Sequence, residues 1–179
     1  MDGARRLSAK QDGRWLLAVE QAGSAVVSLA RGRRVEIITL RRRMAGRHAD
    51  PTPHFRGRLS PPGKARPRTQ RTVEDEVMAL LAGPAAVRQA SGERAAGATP
   101  EDDYQLAVDI AREFSGTLEE AETFVAHLEE QTVALLADER RWECVEILAE
   151  LLLERGAIDG RDARFVFQQV VFAQERSDL

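Results

Sequence analysis

Apolar residues recur at helical spacing over most of the chain. From Arg14 to Ala30 they fall every three or four residues, which predicts an amphipathic helix. The stretch Val35 to Leu40 is apolar and rich in β-branched residues, which favours a strand. Helical spacing returns after Arg71, and the predicted later helices begin near Thr72, Thr99, Thr117, Arg141 and Asp159. We therefore predict a mainly α fold with a small antiparallel β-sheet near the N-terminal helix.

Capping and breaking residues mark the ends of these helices. Thr117 with Glu120 forms a capping box, and the Thr72 segment nearly forms another, with aspartate where glutamate is usual. Gly156 is predicted to end the helix that starts at Arg141, and the last helix should run to about Gln174. Pro84 lies inside a helical pattern, where it is expected to end or kink the helix.

The segment from Arg41 to Arg71 has a composition of its own. It begins with three consecutive arginines and contains five prolines, a density that excludes helix and central strand. The length of 179 residues fits one domain. We predict a flexible arm over residues 1–13, a single domain over 14–175 that carries this basic loop, and a tail over 176–179.

Charge is divided unevenly between the two halves of the chain. Residues 1–71 hold 17 basic and five acidic residues, a net of +12, whereas residues 72–179 hold nine basic and 24 acidic residues, a net of −15. This asymmetry fits a half that faces nucleic acid or an anionic surface. It equally fits a basic half that packs on an acidic half.

The start of the chain and its cysteine content bear on its location. The first residues lack the apolar run of a signal peptide, and we expect no membrane insertion because no apolar run approaches the length of a span. The single cysteine, Cys144, excludes an internal disulfide and is predicted to be a buried thiol. A cytoplasmic location follows as the expectation.

The first helix carries a short motif that has a chemical counterpart in a known family. Residues 20–24 read EQAGS and are followed by AVV, and residues 32–35 read GRRV and lead into the predicted strand. This order resembles the peptidase domain of FtsH-type ATP-dependent zinc metalloproteases, whose corresponding helix carries HEAGH, then AVV, GRRV and a strand. The resemblance extends over about residues 18–162, and it implies a helical FtsH-peptidase-like domain.

The resemblance also indicates which chemistry has been replaced. In the family two histidines one turn apart hold zinc, and the glutamate between them is the general base. The corresponding residues here are Glu20, Gln21 and Ser24, of which only the carboxylate is a plausible ligand. Because catalytic zinc needs three protein ligands, we expect no bound metal, no cofactor and no catalytic residue at this degenerate site.

A second motif of the family supplies its third zinc ligand, an aspartate. Residues 95–107 read AAGATPEDDYQLA and are similar to the family's TTGASxDLxxA, which places Asp103 at the third-ligand position. The acidic cluster has a second explanation, because Pro100, Glu101 and Asp102 are residues that favour a helix start. Residues 55–60, FRGRLS, resemble a short second strand of the family and predict a partner for the strand at Val35 to Leu40.

Three classes of function are compatible with these observations. The first is a catalytically inactive peptidase-like domain that works by protein–protein interaction or self-assembly, and we take it as the prediction. The second is a divergent metal-dependent hydrolase that uses Glu20, Asp103 and a loop histidine, His48 or His54. The third is a binder of nucleic acid or of an anionic surface through the basic loop, whose affinity would fall steeply with salt.

Overall fold

The computed structural model describes the backbone of residues 2–40, 69–92 and 101–172, and the side chains of residues 13–40, 69–92 and 103–172. The described residues form six helices and one two-stranded sheet. The helices are α1 (Asp2–Ala30), α2 (Gln70–Ser91), α3 (Glu101–Ala111), α4 (Leu118–Leu136), α5 (Glu139–Arg155) and α6 (Gly160–Val171), and the strands are β1 (Ile37–Thr39) and β2 (Ala157–Asp159). The predicted mainly α fold with a small antiparallel sheet is confirmed.

Helix α1 is the element on which the others converge. It packs chiefly against α2 and α5, and most of its C-terminal half is buried. Its fully buried apolar residues are Ala18, Val19, Ala22, Ala25, Val26 and Val27. The helix begins at Asp2, well before the start at Arg14 that the apolar pattern predicts, because only the second half of the helix has an apolar stripe to reveal it.

Helix α2 departs from the sequence prediction at two points. It is capped by Thr69, whose side chain accepts from the backbone N–H of Thr72 at 3.2 Å, so the predicted start at Thr72 is wrong by three residues. The helix also continues past Pro84 to Ser91, so Pro84 does not end it. Apolar burial on both sides of the proline outweighs the one backbone hydrogen bond that proline removes.

The two strands join distant parts of the chain. β1 and β2 pair antiparallel with Ile38 opposite Ile158, and both side chains are buried. The predicted strand from Val35 to Leu40 is confirmed in its centre. Its partner, however, follows α5, where the sequence pattern predicts only a helix end and a helix start. The predicted partner over residues 55–60 lies outside the described residues.

The ends of the last three helices follow the capping chemistry closely. Thr117 and Glu120 form the predicted capping box at the start of α4. Gly156 ends α5 in a left-handed conformation, with φ of 76°, as predicted. Asp159 caps α6, which ends at Val171 rather than at Gln174. This helix packs on α5 and touches α1, and it therefore forms one side of the region around the end of α1.

Candidate functional site

Two of the predicted site residues lie together on the face of α1 that meets α2. A Cβ atom added to Gly83 of α2 would lie 2.9 Å from Cγ of Glu20 and 3.1 Å from Oγ of Ser24. Glu20 and Ser24 are both half-buried and lie one helical turn apart, as predicted. Their side chains therefore rest against Gly83 of α2, where an added Cβ atom would force the Glu20 side chain to move.

Gln21 lies beside this pair on α1, one residue after Glu20 and one turn before Ser24, and it is buried. Its side chain is 3% exposed, and its Oε1 atom has no hydrogen-bond partner in the described part of the chain. An unsatisfied buried carbonyl costs about 1–3 kcal/mol. A carboxylate here would cost more, because burial penalises charge far more than it penalises a neutral amide. The amide is thus the residue that this packed position tolerates.

Asp103 lies in the first turn of α3, and its side chain is half-buried and engaged by a neighbour. This placement at a helix start agrees with the sequence prediction. Helix α3 packs chiefly against α2 and α4. The approach of Asp103 to the Glu20 face therefore stays a prediction.

Possible metal ligands are dispersed within the described ranges 13–40, 69–92 and 103–172. No three histidine, cysteine, aspartate or glutamate residues group there closely enough to hold a metal ion. His127 is exposed, and its Nε2 lies 2.8 Å from Nε2 of Gln131 on the next turn of α4. His48 and His54 lie outside the described residues.

Cys144 carries the single thiol of the sequence, and α5 buries it completely. Burial raises the pKa of its thiol to about 12, with a smaller contribution from the nearby Glu143 carboxylate. A thiol is reactive as the thiolate, which is scarce at neutral pH when the pKa is this high. The predicted buried thiol is confirmed.

Ion pairs link the basic half of the chain to the acidic half at the end of α1. Nε of Arg31 donates to Oδ1 of Asp75 at 2.5 Å, and Nη2 of Arg31 lies 3.3 Å from Oε2 of Glu74. Arg33 lies 3.9 Å from the buried Glu76. Some basic residues of the first half of the chain therefore pair with acidic residues of the second half, as the packing interpretation of the sequence predicts.

A cavity of about 260 Å³ opens where α1, α5 and α6 meet. Its lining residues are Leu29, Ala30, Gly32, Arg33, Arg141, Arg164, Phe167, Gln168, Val171 and Phe172. We call it the arginine cavity, because its lining includes three arginines and, among the residues that the structure describes, no acidic one. It begins about 14 Å along α1 from Glu20, at 1.5 Å per residue, and is thus separate from the degenerate site.

The arginine cavity has no counterpart among the sites that the sequence predicts. Arg33 stands out in the sequence only as part of the GRRV stretch and Arg141 only as a helix start, while Arg164 belongs to no motif. Their separation in sequence leaves no local signal, since only the packing of α5 and α6 on α1 brings them together.

No model of a known protein family matches the chain, and no curated protein matches it either. The resemblance to FtsH-type peptidase domains therefore rests on the residues of its own motifs, EQAGS, GRRV and the Asp103 segment. Within the described ranges, no helix has the length and apolar character needed to cross a membrane.

Proposed function

We propose that the chain acts by protein–protein contact, with a partner or with a second copy of itself, and that the EQAGS helix serves structure rather than catalysis. The observation that carries the proposal is the packing of Glu20 and Ser24 against Gly83, with Gln21 buried beside them. A hydrolase needs this face open to a substrate and to an attacking water, whereas the contact with Gly83 covers part of it. A degenerate FtsH-type peptidase domain in the cytoplasm fits this arrangement.

The outer face of α6 is the surface that we assign to the contact. Phe165 is 63% exposed, the highest value among the large apolar side chains that the structure describes. Phe172 is 44% exposed and lies at the C-terminal cap of α6. Its ring also packs edge-on against Phe167, with the centroids 6.0 Å apart. Aromatic side chains of this kind commonly anchor protein interfaces.

Changing Phe165 to serine should weaken this contact without weakening the fold. Sedimentation velocity over a concentration series would detect self-association, and cross-linking of the tagged chain in its native cell would detect a partner. We expect one of the two signals in the parent and a loss of at least about tenfold in Phe165→Ser, as for an interface anchor. Phe114→Ser is the matched control, since Phe114 is 48% exposed but follows α3.

Two results would contradict the proposed contact. One is a parent that remains monomeric at all concentrations and captures no protein. The other is an association that Phe114→Ser and Phe165→Ser reduce equally, because equal losses would indicate non-specific association through exposed aromatic rings rather than through a defined face.

Restoring two histidines tests whether the degenerate site is correctly placed. The variant Glu20→His/Ser24→His leaves the buried Gln21 intact and recreates a pair of ligands one turn apart on one face. We expect it to bind zinc in a chelator-competition titration where the parent does not. Adding Asp103→Ala should then lower the zinc affinity at least about tenfold. Loss of a group that only hydrogen-bonds to a metal ligand already costs about this much, and Asp103 would be a ligand itself.

The single variant Glu20→His is the control for this titration, since one histidine does not make a pair. Circular dichroism would establish that each variant is folded. A folded double variant that binds zinc no better than the parent would show that the two positions do not form a ligand pair. Zinc affinity that Asp103→Ala does not lower would show that Asp103 is not a ligand of this site.

A further inference from the structure

The arginine cavity combines three positive charges with an apolar wall. Arg33 follows the end of α1, Arg141 lies in the first turn of α5, and Arg164 lies on α6. Leu29, Phe167, Val171 and Phe172 supply apolar surface in the same space. This combination occurs in a chain whose overall formal charge is −3, so the local charge is opposite in sign to that of the whole molecule.

The charges in the cavity are incompletely compensated by the protein itself. Arg33 pairs with the buried Glu76 at 3.9 Å, a distance too long for a direct hydrogen bond. Nε of Arg141 is buried and has no hydrogen-bond partner among the described residues. A buried guanidinium donor without an acceptor is costly, and an anion in the cavity would supply that acceptor.

The chemistry of the lining defines the kind of ligand. Guanidinium groups bind carboxylate and phosphate oxygens, often through two parallel hydrogen bonds. The apolar wall requires a ligand that also carries an apolar body. The volume of about 260 Å³ is slightly below the common range for pockets that hold drug-sized molecules, so this body must be small.

We infer that the arginine cavity is a binding site for a small amphipathic anion, in which a phosphate or carboxylate group is joined to a compact apolar body. Arg141 binds the anionic group from inside the cavity, and Arg164 binds it from the exposed rim. The rings of Phe167 and Phe172 contact the apolar body. This inference does not depend on the degenerate site, and it shares only Phe172 with the proposed protein contact.

Isothermal titration of the intact chain at low salt tests the site with defined probes. Phenyl phosphate and benzoate represent the two anionic groups, and the tighter of the two identifies which group the site prefers. We expect saturable binding of at least one of them with one site per chain. Inorganic phosphate should bind at least about tenfold more weakly, because it gains nothing from the apolar wall. Benzyl alcohol should not bind measurably, because it lacks the charge.

Arginine variants assign the binding to this cavity. Arg141→Met keeps an unbranched side chain but removes its charge, and we expect at least a tenfold loss of affinity, as for a charge-assisted hydrogen bond. Arg164→Met should cause a smaller loss, because Arg164 is exposed and solvent weakens its interaction. Arg112→Met is the control, since Arg112 is exposed and does not line the cavity.

The same variants separate a ligand site from a structural role for Arg141. If Arg141 has only a structural role, Arg141→Met lowers the melting temperature. In that case Arg164→Met binds phenyl phosphate and benzoate as tightly as the parent does. That result overturns the inference, as does a parent that shows no saturable binding at millimolar ligand. Equal losses in the Arg112 and Arg164 variants also overturn it, because they indicate non-specific attraction. If Arg141→Met fails to fold, the comparison of Arg164→Met with Arg112→Met decides alone.

Discussion

Replacing Gly23 with alanine is expected to destabilise the protein by about 2 kcal/mol, even though alanine is the better helix former. A Cβ atom at this position would overlap Cβ of Ala86 and lie 3.1 Å from the carbonyl oxygen of Ala82. Overpacking of a tight contact costs about 3 kcal/mol at the upper end of its usual range. We take the upper end because one of the obstructing atoms belongs to the backbone of α2. The gain in helix propensity offsets about 1 kcal/mol of this cost.

Gly13→Ala is the matched control for this prediction. Gly13 lies in the same helix and is exposed, and apart from its own helix backbone no described atom lies within 4 Å of the position that a Cβ would take. This change should stabilise the protein by up to about 1 kcal/mol through helix propensity alone. Thermal unfolding should therefore place Gly23→Ala about 4–8 °C below the parent and Gly13→Ala slightly above it.

A compensating change tests the physical cause. Ala86→Gly removes the methyl group that the new side chain would meet, so Gly23→Ala/Ala86→Gly should recover most of the lost stability. The helix propensity gained at one position and lost at the other nearly cancels. A double variant no more stable than Gly23→Ala would show that the crossing of α1 and α2 is not limited by this contact.

The helices could be predicted because each carries its own apolar face and capping residues. The capping box at Thr117 and the glycine stop at Gly156 need only local chemistry, and both are found where the sequence places them. The continuation of α2 past Pro84 could not be predicted, because it depends on the burial of α2 against α1.

Features that depend on contacts between residues distant in sequence could be predicted only in part. β2 is three residues long and lies between a helix end and a helix start. It is therefore too short to show the alternation of apolar and polar residues that predicts a strand. The pair of Glu20 and Ser24 follows from helix geometry, whereas their contact with Gly83 requires knowledge of how α2 crosses α1. The arginine cavity depends on three elements at once.

Replacing Gly160 with alanine is expected to destabilise the protein by about 3 kcal/mol, which is more than the net loss of about 2 kcal/mol expected for Gly23→Ala. The new Cβ would overlap the carbonyl oxygen of Val35, and would lie 2.6 Å from its carbonyl carbon and 3.0 Å from the carbonyl oxygen of Glu36. The backbone N–H of Gly160 also donates to that Glu36 oxygen at 2.9 Å, so this hydrogen bond would be lost if α6 moved away.

The consequences should extend from the sheet to the cavity. Helix α6 begins at Gly160 and supplies part of the lining of the arginine cavity, so its displacement should weaken anion binding together with stability. Amide hydrogen exchange at Leu40, whose N–H donates to the carbonyl oxygen of Gly156 at 3.0 Å, would report the opening beside the sheet. Exchange at this amide should accelerate far more than exchange in the centre of α4.

Gly156→Ala distinguishes crowding from backbone strain as the cause. Gly156 has φ of 76° and open space around it, so alanine there should cost about 1–2 kcal/mol through conformation alone. Gly160 is not among the described glycines with positive φ, so alanine at this position is opposed by the carbonyl groups and not by its own backbone. Equal losses of stability in the two variants, with anion affinity unchanged in both, would contradict the proposed close approach of α6 to Val35.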